Sequence, residues 1–201
     1  KIIEKPKNPI SNLAVTGIYF LTPKIFDIIS RLKPSYRNEL EITDALQMLL
    51  DEKNIINFEM ITDYWKDTGT PNDIIHANGE VLKNLKPKIN IKKPDNCEII
   101  GDVIIDSNVS IREGTKLIGP CIIGMNTTIG PNTTIGPNVS VGADSIISNC
   151  QITNSIIMNN CKINSTINLE QSIIASNSEI SSDNTTKKKT LLLGEGTRII
   201  F

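Results

Sequence analysis

Between Cys97 and Ile147 the sequence holds a register that few folds tolerate. Ile99, Ile105, Ile111, Leu117, Ile123, Ile129, Ile135, Val141 and Ile147 recur at every sixth position without a miss. Two positions before each stands a small or β-branched residue: Cys97, Val103, Val109, Thr115, Cys121, Thr127, Thr133, Val139 and Ser145. Helices repeat at about 3.6 residues and half-buried strands at every second residue, so strict hexads fit neither a bundle nor a hairpin sheet. Short strands separated by turns do satisfy them. The large aliphatics then stack inside the coil, while Gly124, Gly130, Gly136, Gly142 and the neighbouring Asn residues take turn conformations with φ > 0. After Ile147 the phase slips, yet the pattern persists through Ile152, Ile157, Ile163, Ile174 and Ile180. A polar break, SSDNTTKKKT, precedes one last strand in TLLLGEGTRIIF.

The first part of the chain has a different grammar. LAVTGIYFL (Leu13 to Leu21) reads as a strand buried on both faces, and Thr22-Pro23 as the N-cap and first turn of a helix carrying Ile25, Ile29 and Leu32. A second helical stripe runs through Ile42, Ala45, Leu46, Leu49 and Leu50; IINFEMI (Ile55 to Ile61) reads as a strand, and PNDIIHANGEVLKNL as a third helix. Two strands are too few for a stable open sheet, so this is a partial α/β domain. The chain opens at Lys1, without Met, inside a strand-like pattern.

Composition narrows the possible functions. A formal net charge of −1 gives no global field for nucleic acid or an anionic membrane, and no apolar run is long enough to span a bilayer. The four cysteines (Cys97, Cys121, Cys150, Cys161) form no CxxC pair, as expected of reduced thiols in a cytoplasmic protein. The basic KPKINIKKPDN (residues 86–96) reads as an extended solvated linker. Asn126, Asn132 and Asn138 fall in sequons, but at repeat turns. His76 lies on the third helix, in a surface or packing role.

The hexads resemble those of the left-handed parallel β-helix family, in which three hexads make one triangular coil. The first part carries a second resemblance. EKPKNPISNLAVTGIYF, RNELEITDA and YWKDTGTP occur in the order and spacing of the sugar-1-phosphate nucleotidylyltransferases, and the likeness is greatest to the long glucose-1-phosphate thymidylyltransferase family. That long form also continues into a hexapeptide tail with an ending similar to LLLGEGTRI. The expected architecture is a partial Rossmann-like α/β nucleotidyltransferase domain over 1–85, a linker over 86–96, and a left-handed β-helix with a C-terminal strand over 97–201.

The resemblance implies joining of a sugar 1-phosphate, glucose 1-phosphate by likeness, to a nucleoside triphosphate such as dTTP, with release of pyrophosphate. Lys5 would meet the sugar phosphate, Glu4 would accept from sugar hydroxyls, and Val15 would contact the sugar through its backbone. Asp67 would be one of two aspartates holding Mg²⁺, with Trp65 as apolar wall. Glu39 and Glu41 belong to the family pattern, with no contact expected of either. No residue here is assigned a catalytic proton transfer or nucleophilic attack. The family's glycine-rich, Arg- and Lys-bearing nucleotide segment and its second metal aspartate have no match in these residues, so the chain alone is expected to be inactive. Two other functions are compatible with hexads. One is an acyl-CoA-dependent sugar-phosphate acetyltransferase, which generally needs a histidine that the repeat lacks. The other is a β-helix that serves assembly, giving a homo-oligomer.

Overall fold

The computed structural model describes residues 1–92, 95–182, 188–189, 191–196 and 198–200, with only the backbone described at 182, 188–189 and 198–200. The chain divides into two compact units, Lys1–Tyr64 and Trp65–Phe201.

The second unit is a parallel β-helix. Val103–Ile105 pairs in parallel with Cys121–Ile123, and that strand with Val139–Val141, each partner eighteen residues further on. Three hexads therefore close one coil. The first face stacks Lys88–Ile89, Val103–Ile105, Cys121–Ile123, Val139–Val141, Ser155–Ile157, Ile173–Ile174 and Leu192–Leu193 in that order. The second face starts with Glu98–Ile100, Lys116–Ile118 and Thr134–Ile135, and the third with Ser110–Ile111 and Thr128–Ile129. Both run into two long strands, Ile146–Thr153 and Lys162–Glu170, which bend round the corner between them; a register break between Ser148 and Cys150 marks the bend.

The hexad register is the register of the core. Ile105, Leu117, Ile123, Ile129, Ile135 and Ile147 are wholly buried, and so are the small residues two positions before most of them. Where those small residues are polar, their hydroxyls donate to carbonyls: Thr115 to Arg112 at 2.6 Å, Thr127 to Gly142 at 2.9 Å, Thr133 to Pro131 at 2.8 Å. A buried hydroxyl is tolerable on those terms. At one corner Asn108, Asn126, Asp144, Asn160 and Asn177 all have φ near +60°, the left-handed region that short polar side chains enter most readily. Their side chains form ladder bonds, among them Asn126 Nδ2 to Asp144 Oδ1 at 3.0 Å and Asn160 Nδ2 to Asn177 Oδ1 at 2.7 Å.

The expected glycine role splits in two. Gly136 has φ +104°. At Gly124 φ is not positive; there a Cβ would lie 2.7 Å from the Ala143 nitrogen of the next coil, so close approach excludes a side chain.

The phase slip is a shortening of the coil. Val139 pairs with Ser155, sixteen residues on, and Ile156 with Ile173, seventeen on. Within Lys162–Glu170 burial alternates along the strand, so Ile167 and Leu169 enter the core, residues that the hexad count passes over. The expected last strand is two short ones: Leu192–Leu193 continues the first face and Arg198–Ile200 pairs with Glu179–Ser182. Residues 183–187, inside the expected polar break, lie outside the described residues.

The expected linker also contributes. Lys88 and Ile89 pair with Ile104 and Ile105, so the first rung precedes Cys97; Lys93 and Pro94 lie outside the described residues. Helix α3 (Pro71–Lys83), which falls within the expected N-terminal domain of 1–85, lies in the second compact unit. It packs on Val139–Val141 and Ser155–Ile157, where the Ser140 hydroxyl donates to Asn78 Oδ1.

The first unit contains α1 (Lys24–Ile29) and α2 (Ile42–Asp51), packed through Ile25, Ile28, Ala45, Leu46 and Leu49. Pro23 caps α1 and no side chain does; it is the Thr22 carbonyl, not its hydroxyl, that accepts the Ile25 N–H, at 3.1 Å. Neither 13–21 nor 55–61 is a strand, contrary to expectation. Tyr19 and Ile56 pack on the helices, whereas Phe20 is 96% and Ile55 88% exposed. A strand exists only by pairing, and within the described residues neither segment has a partner. Apart from the Tyr19 and Ile56 contacts, most of the large apolar side chains of both segments are exposed. Among the described residues, no helix is long and apolar enough to cross a membrane.

Candidate functional site

In the first unit, two of the three motifs meet. The segment Ser35 to Glu39 closes a tight turn: Ser35 N–H donates to the Glu39 carbonyl at 2.8 Å, and Asn38 takes φ +61°. Ser35 Oγ donates to Glu41 Oε1 at 3.0 Å and accepts the Arg37 N–H at 3.1 Å, which fixes the turn to the start of α2. Arg37 is thereby set among three carboxylates, 3.6 Å from Glu4, 3.1 Å from Glu39 and 3.2 Å from Glu41. Glu41 is only 8% exposed, and its ion pair and hydrogen bond make that burial tolerable.

Glu4 is held at both oxygens. Thr43 Oγ1, in the first turn of α2, donates to Oε2 at 2.8 Å, and the Arg37 guanidinium faces Oε1. Each oxygen keeps a lone pair for a further donor. Lys5 follows with φ +37°, a conformation that costs a side-chain-bearing residue about 1–2 kcal/mol. Its carbonyl accepts from Tyr36 Oη at 3.4 Å, and Ile2 N–H donates to Gln47 Oε1 at 2.6 Å. The Glu-Lys-Pro turn is thus tied to the second motif through Arg37 and Thr43, and to Tyr36 just before it. Strain held in place by neighbours is a common mark of functional backbone. Among the described residues no carboxylate pairs with the Lys5 ammonium. Val15 lies in an irregular segment, 52% exposed, and no hydrogen bond joins it to Glu4 or Lys5 among the described residues.

The third motif opens the second unit. Asp73 and Thr70 form a reciprocal capping box at the start of α3, with Pro71 at its first position. Lys66 reaches Asp73 at 2.7 Å, and this bond, with that of Thr70, holds the Asp73 carboxyl below the usual range. So Lys66, Thr70 and Asp73 serve the helix start, while Trp65, half-exposed, and Asp67, exposed, are left outside that network. The Asp67 carboxylate folds towards Gly69, whose position would admit a Cβ at ordinary contact, 3.8 Å. His76 is exposed on α3.

All four cysteines are free and buried in the β-helix. Burial pushes the Cys121 and Cys150 thiols up to about 12, which makes them packing groups rather than ligands or nucleophiles. Among the described residues no cluster of His, Cys, Asp and Glu is arranged to hold a metal without other ligands.

Sequence reasoning picks out Glu4 and Lys5 but passes over Arg37, Thr43 and Tyr36. A signal for Arg37 is present: a lone cation among the acids of RNELEITD. Thr43 carries no such mark.

Comparison with known proteins places the family boundary beyond the end of the first compact unit, after α3. Residues 1–84 match the nucleotidyl transferase family, and residues 117–199 match the GMPPB C-terminal domain. The chain is 31% identical over 179 residues to a glucose-1-phosphate thymidylyltransferase of Streptomyces griseus, covering 89% of this chain and 50% of that one. It is 36% identical over 152 residues to a protein of the same name in Streptomyces antibioticus, 76% of this chain and 41% of that one. It is 40% identical over 120 residues to a bifunctional sugar-1-phosphate nucleotidylyltransferase/acetyltransferase of Sulfurisphaera tokodaii, 58% of this chain and 29% of that one. The chain spans about half the length, or less, of these relatives. Motif order, core register and both family matches agree on a chain whose first 84 residues match the nucleotidyl transferase family and which continues into a hexapeptide-repeat β-helix.

Proposed function

We propose that residues 1–84 supply the sugar-1-phosphate side of a nucleotidylyltransferase that joins glucose 1-phosphate to dTTP and releases pyrophosphate. The observation that carries this reading is the tie between the Glu-Lys-Pro turn and the Arg37–Thr43 segment, with Glu4 and Lys5 held side by side. A fixed acceptor beside a cation without a carboxylate partner suits a molecule that bears hydroxyls and a phosphate. Lys5 offsets repulsion between two anionic reactants and holds the attacking phosphate oxygen; Glu4 accepts from the sugar hydroxyls; Val15 meets the sugar through its backbone. Trp65 forms an apolar wall.

Mg²⁺ fits what Asp67 offers, since that ion keeps several waters and takes one or two carboxylates together with substrate phosphates. An exposed carboxylate outside the capping network is a donor of that kind. When bound, the ion offsets phosphate charge. Given glucose 1-phosphate, dTTP and Mg²⁺, these 201 residues alone should release no pyrophosphate, whereas a longer chain that adds a nucleotide-binding segment should, and should lose that activity on Asp67→Asn. Turnover by these residues alone, or an active Asp67→Asn enzyme, would contradict the reading.

The β-helix serves assembly of like subunits in the cytoplasm. One feature in support is the outward row of its first face, apolar at Ile104, Ile122, Ile156, Ile173 and Leu192 but interrupted by Ser140, where α3 packs on Val139–Val141 and Ser155–Ile157; the second face carries Glu98, Lys116, Thr134, Gln151 and Asn168. Light scattering of a chain ending near Leu85 should show lost assembly; an unchanged oligomer would contradict it. The name of the Sulfurisphaera relative favours a second reading, acetyl transfer by the coils. Against it, residues 88–201 contain no histidine. Acetyl-CoA consumption with glucosamine 1-phosphate would establish it.

A further inference from the structure

We propose that Thr43 and Arg37 are positioning residues that set the carboxylate of Glu4 for the sugar, an inference that rests on the reading of Glu4 given above. A glutamate near a chain turn has three rotatable bonds and, left alone, samples many orientations. Here Thr43 Oγ1 donates to Oε2 at 2.8 Å and the Arg37 guanidinium lies 3.6 Å from Oε1, so each oxygen of the carboxylate has a partner, one by hydrogen bond and one by charge. Thr43 is buried and sits in the first turn of α2, a rigid element, while Arg37 is itself anchored by Glu39 and Glu41. The two acids to which no substrate contact was assigned thus hold the arginine that holds Glu4. The conformational freedom that binding would remove is already restricted, so a donor-bearing ring meets an acceptor already in place.

The distinction from mere packing is that the effect of Thr43 must pass through Glu4. Calorimetric titration of glucose 1-phosphate into the full 201-residue chain, on four variants of known melting temperature, reads this directly. Thr43→Val keeps the side-chain shape and removes the hydroxyl; it should weaken binding about tenfold. Thr43→Ser keeps the donor and should bind within about twofold of the unaltered chain. Glu4→Gln should lose at least as much as Thr43→Val, and the double variant no more than Glu4→Gln alone, because a positioning effect vanishes with the group positioned. If the two losses multiply, or Thr43→Val binds normally while Glu4→Gln does not, the inference is wrong and the sugar role of Glu4 stands. If Glu4→Gln binds normally, that role fails and takes this inference with it. A chain that takes up no glucose 1-phosphate at all overturns both.

Discussion

The first unit of this chain is richer in apolar residues than the second, yet it buries them less completely. In the β-helix, the aliphatics of the repeat from Ile105 onward are buried between stacked coils, and the described strands find partners about eighteen residues away. In the first unit, Phe20, Ile55 and Phe58 are mostly exposed beside a small core of two helices. What separates them is the distance to the partner. A solenoid needs only its neighbouring coil, whereas an open sheet needs several strands at once. Self-sufficiency follows from the range of pairing rather than from hydrophobicity.

That contrast can be broken or sharpened by mutation. Ile123→Ala removes a wholly buried side chain from a stacked core and should cost about 2–5 kcal/mol of β-helix stability, read by urea unfolding. Gly136→Ala should cost more than about 1 kcal/mol, since φ is +104° and the added methyl would collide with the Ile118 carbonyl. Thr70→Ala removes the cap of α3 and should cost about 1 kcal/mol. This cap carries a pH signature. The folded-state pKa of Asp73 is depressed by Lys66 and Thr70, so its contribution is present above the ordinary aspartate range and lost as pH falls through the lowered value. Thr70→Ala should flatten that acid limb, and an unchanged limb would assign it elsewhere. Phe20→Ala should change stability by no more than about 0.5 kcal/mol, because the ring touches little in this unit; a large loss would mean that 13–21 is packed after all.

Thiol chemistry offers an independent check on the same comparison. Cys121 and Cys150, raised to about 12, should resist iodoacetamide at pH 9 in the folded chain and react on unfolding in urea. Rapid labelling of the folded chain would contradict a closed core. Hydrogen exchange should likewise protect the coils and leave 13–21 and 55–61 fast, since no strand pairing guards their amides.

The β-helix was legible because its repeat is local. Hexads name the interior positions, and turn chemistry names Asn126, Asn132 and Asn138 as left-handed residues. Legibility failed where the coil shortens: Leu169 follows strand alternation, which a count by sixes skips. It failed again at Lys88 and Ile89, whose two-residue rung has no room for a repeat signal. In the first unit, apolar runs named strands that nothing here pairs, because pairing is a property of the partner as much as of the run. The site divides likewise. Glu4 and Lys5 stand out through motif order, but Thr43 acts across a gap of thirty-nine positions and only the fold reveals it.

The most direct test of the proposed sugar-phosphate site is to titrate glucose 1-phosphate into the isotope-labelled chain and follow every backbone amide. Saturable shifts are expected at Glu4, Lys5, Val15 and the Arg37–Thr43 segment, absent in Lys5→Ala, with the β-helix coils silent. Shifts centred on the coils, or a Lys5→Ala chain that responds unchanged, would contradict it.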